Sequence, residues 1–370
     1  GVTLTADDIN SAGKGNSYSV LLAENVLNTA VLDGFVVSGG NAVNLGQREQ
    51  GGGRTWGGGM YAYNCNAVIR NSSFIGNFAS SNGGGVFASL CGSRVTNCYF
   101  SGNTSGLGGG GMYIENSDGT ILEDCTFSGN LGFYRGGGLY LMYSDLRVSS
   151  STFSGNRAFD GTSWGDGGAL YTEFCFLEAT NCTFSGNRAY YGGGMYGKVV
   201  YRDDLVTGQT TEVINCTFFS NEGDSGSGLY HVNGIPEVKN CIFWNDGGGN
   251  EIVEDGSVAV VTRSVVRDGF PTGSYVITDD PKLRPLADNG GLTQTHALLS
   301  GSSAIDKGTS AGAPSTDQRG ISRPQGSGYD IGAYEYVPPS SGGGGGCDIR
   351  GASFPGILLL ILPVLLIIRR

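Results

Sequence analysis

Histidine is almost missing from this chain, two in 370 residues, so imidazole-based metal binding and acid–base chemistry have little to draw on. Proline is scarce at 10, and no Gly-X-Y period runs through the sequence, which excludes a collagen triple helix. Charged residues make up 15%, well below the usual quarter, while 39% are hydrophobic, so a disordered polyelectrolyte is excluded as well. Positive charge is in deficit: 22 basic against 33 acidic residues leave −11, the wrong sign for a phosphate-binding surface, and no nucleic acid partner is expected. The nine cysteines contain no Cys-x-x-Cys, so no zinc site is expected, and neither is a cofactor. Glycine, by contrast, is abundant at 67, which suits a repetitive β structure with many tight turns.

Two phrases repeat in step. Phe-Ser-Gly-Asn or a close variant begins at Phe74, Phe100, Phe127, Phe153, Phe184 and Phe218, with a degenerate copy at Phe243. Glycines followed by an aliphatic and an aromatic recur at Met60-Tyr61, Val86-Phe87, Met112-Tyr113, Leu139-Tyr140, Leu170-Tyr171, Met195-Tyr196 and Leu229-Tyr230. The period, 25 to 34 residues, suits one turn of a single-stranded, right-handed parallel β-helix with three short strands per coil. The fold class is therefore all-β.

Aligned on the phenylalanine, the columns predict which residues face inward. Five positions earlier stand Ile69, Val95, Leu122, Val148, Ala179, Val213 and Val238, and two earlier stand Ser72, Cys98, Cys125, Ser151, Cys182, Cys216 and Cys241. Both columns can face inward only if the chain turns a corner between them. The intervening Asn71, Asn97, Asp124, Ser150, Asn181, Asn215 and Asn240 supply residue types that tolerate the left-handed region. A second column, Asn77, Asn103, Asn130, Asn156, Asn187 and Asn221, predicts a ladder of stacked amides. In the third strand the aliphatics face in. Tyr61, Phe87, Tyr113, Tyr140, Tyr171, Tyr196 and Tyr230 then form an external aromatic ladder, read either as a binding strip or as a stiffener of the sheet.

Eight cysteines fall in columns: the five above, and Cys65, Cys91 and Cys175, nine before the phenylalanine. They read as small apolar fillers, with neighbours such as Cys65 and Cys91 or Cys182 and Cys216 near enough for a bridge. The ninth, Cys347, follows Gly342–Gly346 and precedes the apolar run Ala352–Ile368 and Arg369-Arg370. Seventeen helical residues reach about 25 Å, marginal for a bilayer, with the arginines held at the cytoplasmic interface. The chain starts at Gly1 without a leader and is expected to be a fragment or mature form of an exported precursor.

Taken together, the coils, with Asn181–Asn187 the cleanest, resemble bacterial surface β-helix proteins. They are also similar to the repeats of chlamydial polymorphic outer membrane proteins, whose outer-membrane barrel has no counterpart here. Leu286–Leu299, Ser303–Asp306, Thr316–Gly320 and Tyr329–Glu335 resemble the choice-of-anchor module, which ends surface β-helices before varied C-terminal anchors. The Gly-rich linker, lone cysteine, apolar segment and basic end resemble bacterial C-terminal sorting signals. That resemblance implies that Cys347 is a processing or lipid-attachment site. The expected organisation is a β-helix over 1–278, truncated at its N-terminus, a C-terminal cap over 279–336, a linker over 337–346 and a sorting or transmembrane tail with a short hydrophobic helix over 347–370.

These readings lead to a protein of the bacterial cell surface or outer membrane, held by its C-terminus at least transiently. Its expected partners are glycans or cell-surface proteins, a processing protease and the membrane. Adhesion or glycan binding without catalysis is the first reading. A polysaccharide lyase or glycoside hydrolase, which needs clustered or paired carboxylates, is the second, and a structural spacer or surface-layer protein the third. Charges for an enzyme site occur in two insertions: Lys198, Arg202, Asp203 and Asp204 in one, Asp160 and Asp166 near Arg157 and Arg188 in the other. Gly106–Gly111, Gly161–Gly165 and Gly223–Gly226 match nucleotide-binding or serine-hydrolase strings, but no helix follows the first and the repeat explains it.

Overall fold

The computed structural model describes residues 19–26, 30–43, 55–159, 161–162, 165–199 and 210–339. Those through Pro338 belong to one compact unit, a parallel β-helix. Among them, three sheets carry nine parallel strands each and a fourth carries seven. Each coil runs through the ladder sheet (Leu21–Glu24 to Ile252–Asp255), a charged sheet (Val31–Asp33 to Val260–Thr262) and the phenylalanine sheet (Val36–Ser38 to Val265–Val266). A short sheet (Asn41–Ala42 to Glu222–Ser225) then leads back, so a coil has three or four strands rather than always three.

Corner chemistry fixes this path. Asn71, Asn97, Asp124, Ser150, Asn181, Asn215 and Asn240 all have positive φ, between 48° and 55°. That one left-handed residue turns the chain from the charged sheet into the phenylalanine sheet and aims the columns on both sides of it inward. Val95, Cys98 and Phe100 are buried accordingly, as are their equivalents in the neighbouring coils. Phe74 through Phe243 stack with centroids 4.5 to 5.1 Å apart and rings within 7° of parallel. Fully burying each such ring stabilises the fold by about 1.5–3 kcal/mol relative to exposure.

The asparagine ladder marks the exit from that sheet. In each step one Asn Oδ1 accepts both the backbone N–H and the Nδ2–H of the asparagine one coil earlier, from Asn77 onto Asn103 through to Asn221 onto Asn245. Glu251 ends the run, its two carboxylate oxygens accepting the N–H and Nδ2–H of Asn245. An acceptor-only group is what a ladder of this polarity requires at its end.

The columnar cysteines are buried in the core as fillers would be, and they carry hydrogen bonds as well. Cys98, Cys125, Cys182, Cys216 and Cys241 each donate the thiol hydrogen to the carbonyl two residues back, and Ser72, Ser151 and Ser264 do the same with a hydroxyl. The same side chains accept an N–H from the previous coil, as Ser151 does from Cys125 and Cys216 does from Cys182. Cys91, Ser117 and Ser144 repeat the arrangement at the other corner. Cysteine and serine alternate because both are small and carry one donor and an acceptor; alanine would lack both.

Residues 267–278 add a partial turn below the last coil, with Phe270 and Val276 against the main core. From there residues 279–336 run back along the outside of the phenylalanine sheet. They bury Thr152, Thr183, Thr217, Ile242 and Val265, a column whose earlier members Ser73 and Thr126 are half-buried and Tyr99 exposed. Gln318 bonds Thr152 and Thr183, Asn181 donates to the Thr316 carbonyl, and His296 meets Ser185. Inside this strap Arg323 and Glu335 form a fully buried pair at 2.8 Å, and Asp317 holds Arg319. The segment likened to the choice-of-anchor module is thus a clasp along the solenoid's flank. No helix of the described residues is long and apolar enough to cross a membrane, and the apolar run 352–368 lies outside them.

Candidate functional site

Register places Tyr61, Phe87, Tyr113, Tyr140, Tyr171, Tyr196 and Tyr230 in one line on the outer face of the ladder sheet. Their accessibility contradicts the expected binding strip. Tyr61 and Tyr196 are the most open of six buried rings at 8%, Tyr171 is at 1%, and Tyr230 is half-buried. The cover comes from the residue before the first glycine of each glycine-rich turn, where a positive φ reverses the chain over the sheet. Trp56 stacks on Phe87 at 5.5 Å, the Arg135 guanidinium lies 5.1 Å over Tyr171, and Tyr191 sits 4.7 Å from Tyr230. Gly108 offers no side chain there, and Tyr140 turns edge-on into the space, 78° and 73° to its neighbours. A Cβ on Gly108 would stand 2.5 Å from Tyr140 Cδ1. These rings form a second apolar layer and leave no sugar-sized platform.

Charged groups collect where the ladder breaks step. Glu173, with its side chain 10% exposed, bonds Lys198 at 3.2 Å, Arg135 at 3.4 Å and the Tyr171 hydroxyl at 3.3 Å. Burial raises the pKa of the phenols of Tyr113, Tyr140 and Tyr171, so they stay protonated and make poor bases. Asp166, stacked between Arg135 and Tyr191, is pushed up to about 6 by burial. Lys198 is therefore a partner of Glu173, while Arg202, Asp203, Asp204 and Asp160 lie outside the described residues, as does Cys347. Neither histidine offers a base at the surface. His231 points into the core, where burial pushes it down to about 4, and His296 is buried in the flank clasp.

The short sheet, which sequence reasoning missed, carries the open surface. Its inward residues are small (Ala79, Ser105, Gly132, Ala158, Ala189, Gly223), so outward neighbours alternate with them. Small inward residues are required because the middle glycine of each glycine-rich turn passes close by: a Cβ on Gly84 or Gly137 would meet the carbonyl of Thr104 or Arg157 at 2.4 Å. Outward, Leu131, Arg157, Arg188 and Glu222 fall in one register, and Phe133, Phe159 and Tyr190 stand two residues further on. Arg157, Arg188 and Tyr190 are exposed. Arg188 pairs with Glu222 at 2.9 Å, and Arg157 stacks one coil away from Arg188, about 4.8 Å along the sheet.

Below Tyr190 the short sheet stops at Glu222–Ser225 and the next coil diverges through Asp246–Gly248. The gap is a cleft of about 540 Å³ lined by Arg188, Ser220, Glu222, Asp224 and Asp246. No group of three metal-ligating side chains converges among the described residues. An aromatic column, two guanidiniums and a polar cleft lie on one continuous face. The alternation of small and variable residues after each ladder asparagine (Asn130-Leu-Gly, Asn156-Arg-Ala, Asn187-Arg-Ala) was the available signal for it.

A family model described as "Right handed beta helix region" matches residues 52–203, the coils that carry Tyr61 to Tyr196 and most of the short sheet. No curated protein matches the sequence.

Proposed function

We propose that this chain is a surface-displayed β-helix that binds a carbohydrate along the outer face of its short sheet, without catalysis. One observation carries the reading: exposed Tyr190, in line with the half-buried Phe133 and Phe159, stands beside exposed Arg157 and Arg188 on a face that leads into the 540 Å³ cleft. Aromatic faces stack on the apolar side of a sugar ring, and guanidiniums and cleft carboxylates hydrogen-bond its hydroxyls. The sorting tail, its processing at Cys347 and the surface location belong to the same proposal. The buried ladders support a spacer reading, since a stiff rod follows from continuous stacking whatever it displays.

A glycan array followed by calorimetric titration separates the readings. Tyr190→Ala with Arg188→Ala should weaken the best glycan about tenfold or more while leaving thermal unfolding nearly unchanged, because both side chains are exposed. Undiminished binding in the double variant places the ligand elsewhere. Binding to no glycan at all leaves the spacer. Release of unsaturated or reducing sugars by the unmodified chain would make the Glu222, Asp224 and Asp246 carboxylates an enzyme site instead.

A further inference from the structure

Cys65 departs from the hydrogen-bond pattern that every other columnar thiol follows. At Cys91, Cys98, Cys125, Cys175, Cys182, Cys216 and Cys241 the thiol hydrogen goes to the carbonyl two residues back. Cys65 Sγ instead faces Cys91 Sγ at 3.3 Å, while its backbone N–H donates to the next coil's sulfur as in the other columns. A bridge between Cys182 and Cys216, or between Cys216 and Cys241, would remove a donor from two satisfied carbonyls. A bridge between Cys65 and Cys91 removes one. Coils stack about 4.8 Å apart, inside the roughly 4.4–6.8 Å that a disulfide spans between Cα atoms.

We propose that Cys65 and Cys91 are the one pair in these columns that closes to a disulfide, stapling two successive coils at the corner between the ladder and charged sheets. The oxidant is a low-molecular-weight disulfide. One protein thiolate attacks one of its sulfurs and expels the first small thiolate. The second protein thiolate then attacks the resulting mixed disulfide and expels the other. Two protein thiols become one S–S bond, and the small disulfide is reduced to two thiols. Cys65 suits the attacking role: its thiol hydrogen is held by no carbonyl, and its sulfur already lies 3.3 Å from that of Cys91.

The test is to incubate the folded full chain with excess oxidised glutathione, alkylate the remaining thiols, digest and map the peptides by mass. The expected product joins the Cys65 and Cys91 peptides, two mass units below their reduced sum. Cys98, Cys125, Cys175, Cys182, Cys216 and Cys241 should be recovered alkylated. Oxidation should raise the unfolding temperature of the unmodified chain by several degrees and leave that of Cys65→Ser unchanged. A cross-link distributed over Cys182, Cys216 and Cys241, or none at Cys65 after prolonged exposure, overturns the proposal. So does a cross-link that forms without raising the unfolding temperature.

Discussion

Replacing Cys125 distinguishes two accounts of the cysteine columns. The residue is fully buried, and its Sγ donates its one hydrogen to the Glu123 carbonyl at 3.3 Å, with the Val95 carbonyl 3.5 Å away. Cys125→Ala removes that donor and leaves the Glu123 carbonyl without it. An unmade buried bond costs about 1–3 kcal/mol, and a thiol, a weak donor, belongs at the low end. The lost sulfur leaves a methyl-sized void, worth about 1 kcal/mol more. The sum is about 2 kcal/mol. Cys125→Ser keeps the donor and acceptor, as Ser151 shows one coil further on with a 2.8 Å bond to the Ser149 carbonyl. It should cost at most about 1 kcal/mol of shrinkage. If cysteine were only an apolar filler the order would invert, because serine would bury an uncompensated hydroxyl at about 1–3 kcal/mol while alanine left only the void. Guanidinium denaturation followed by circular dichroism reads this directly, with the midpoints compared only if the slopes agree, since solenoids can lose two-state behaviour. Alanine as stable as serine, or more so, refutes the hydrogen-bond account.

Two further outcomes are expected. Asn156→Ala removes the amide that accepts two bonds from Asn130 and donates to Phe127 O and Asn187 Oδ1, and it should cost about 3 kcal/mol or more by the same denaturation measurement. His231 is held neutral in the core with its pKa down at about 4, while the unfolded chain protonates near 6.5. Its contribution is present above about 6.5 and is lost as the pH falls toward 4. The unfolding temperature of His231→Gln should therefore fall less than that of the parent between pH 7 and 4, and parallel profiles would show that His231 is not the titrating group.

The sequence by itself determined the coil. A mid-twenties period, the inward columns and the left-handed asparagine corner are local facts, and stacking repeats them identically, so Val95, Asn97 and Phe100 reveal their positions without any knowledge of distant residues. Three features depended on the tertiary structure. The aromatic ladder was legible as a line but not as a buried one, because its cover comes from glycine-turn residues as different as Trp56, Arg135 and Tyr191, which share a position and no chemistry. The role of cysteine was hidden because thiol and hydroxyl look unalike on a hydrophobicity scale and alike as hydrogen-bond relays. The flank clasp was invisible because its contacts join residues 69 to 167 positions apart, as Asn240 with Thr309 and Ser151 with Gln318, and no period connects them. Short-range repetition writes a solenoid's core into its sequence, whereas what covers that core is decided by whichever side chains the folded path brings over it.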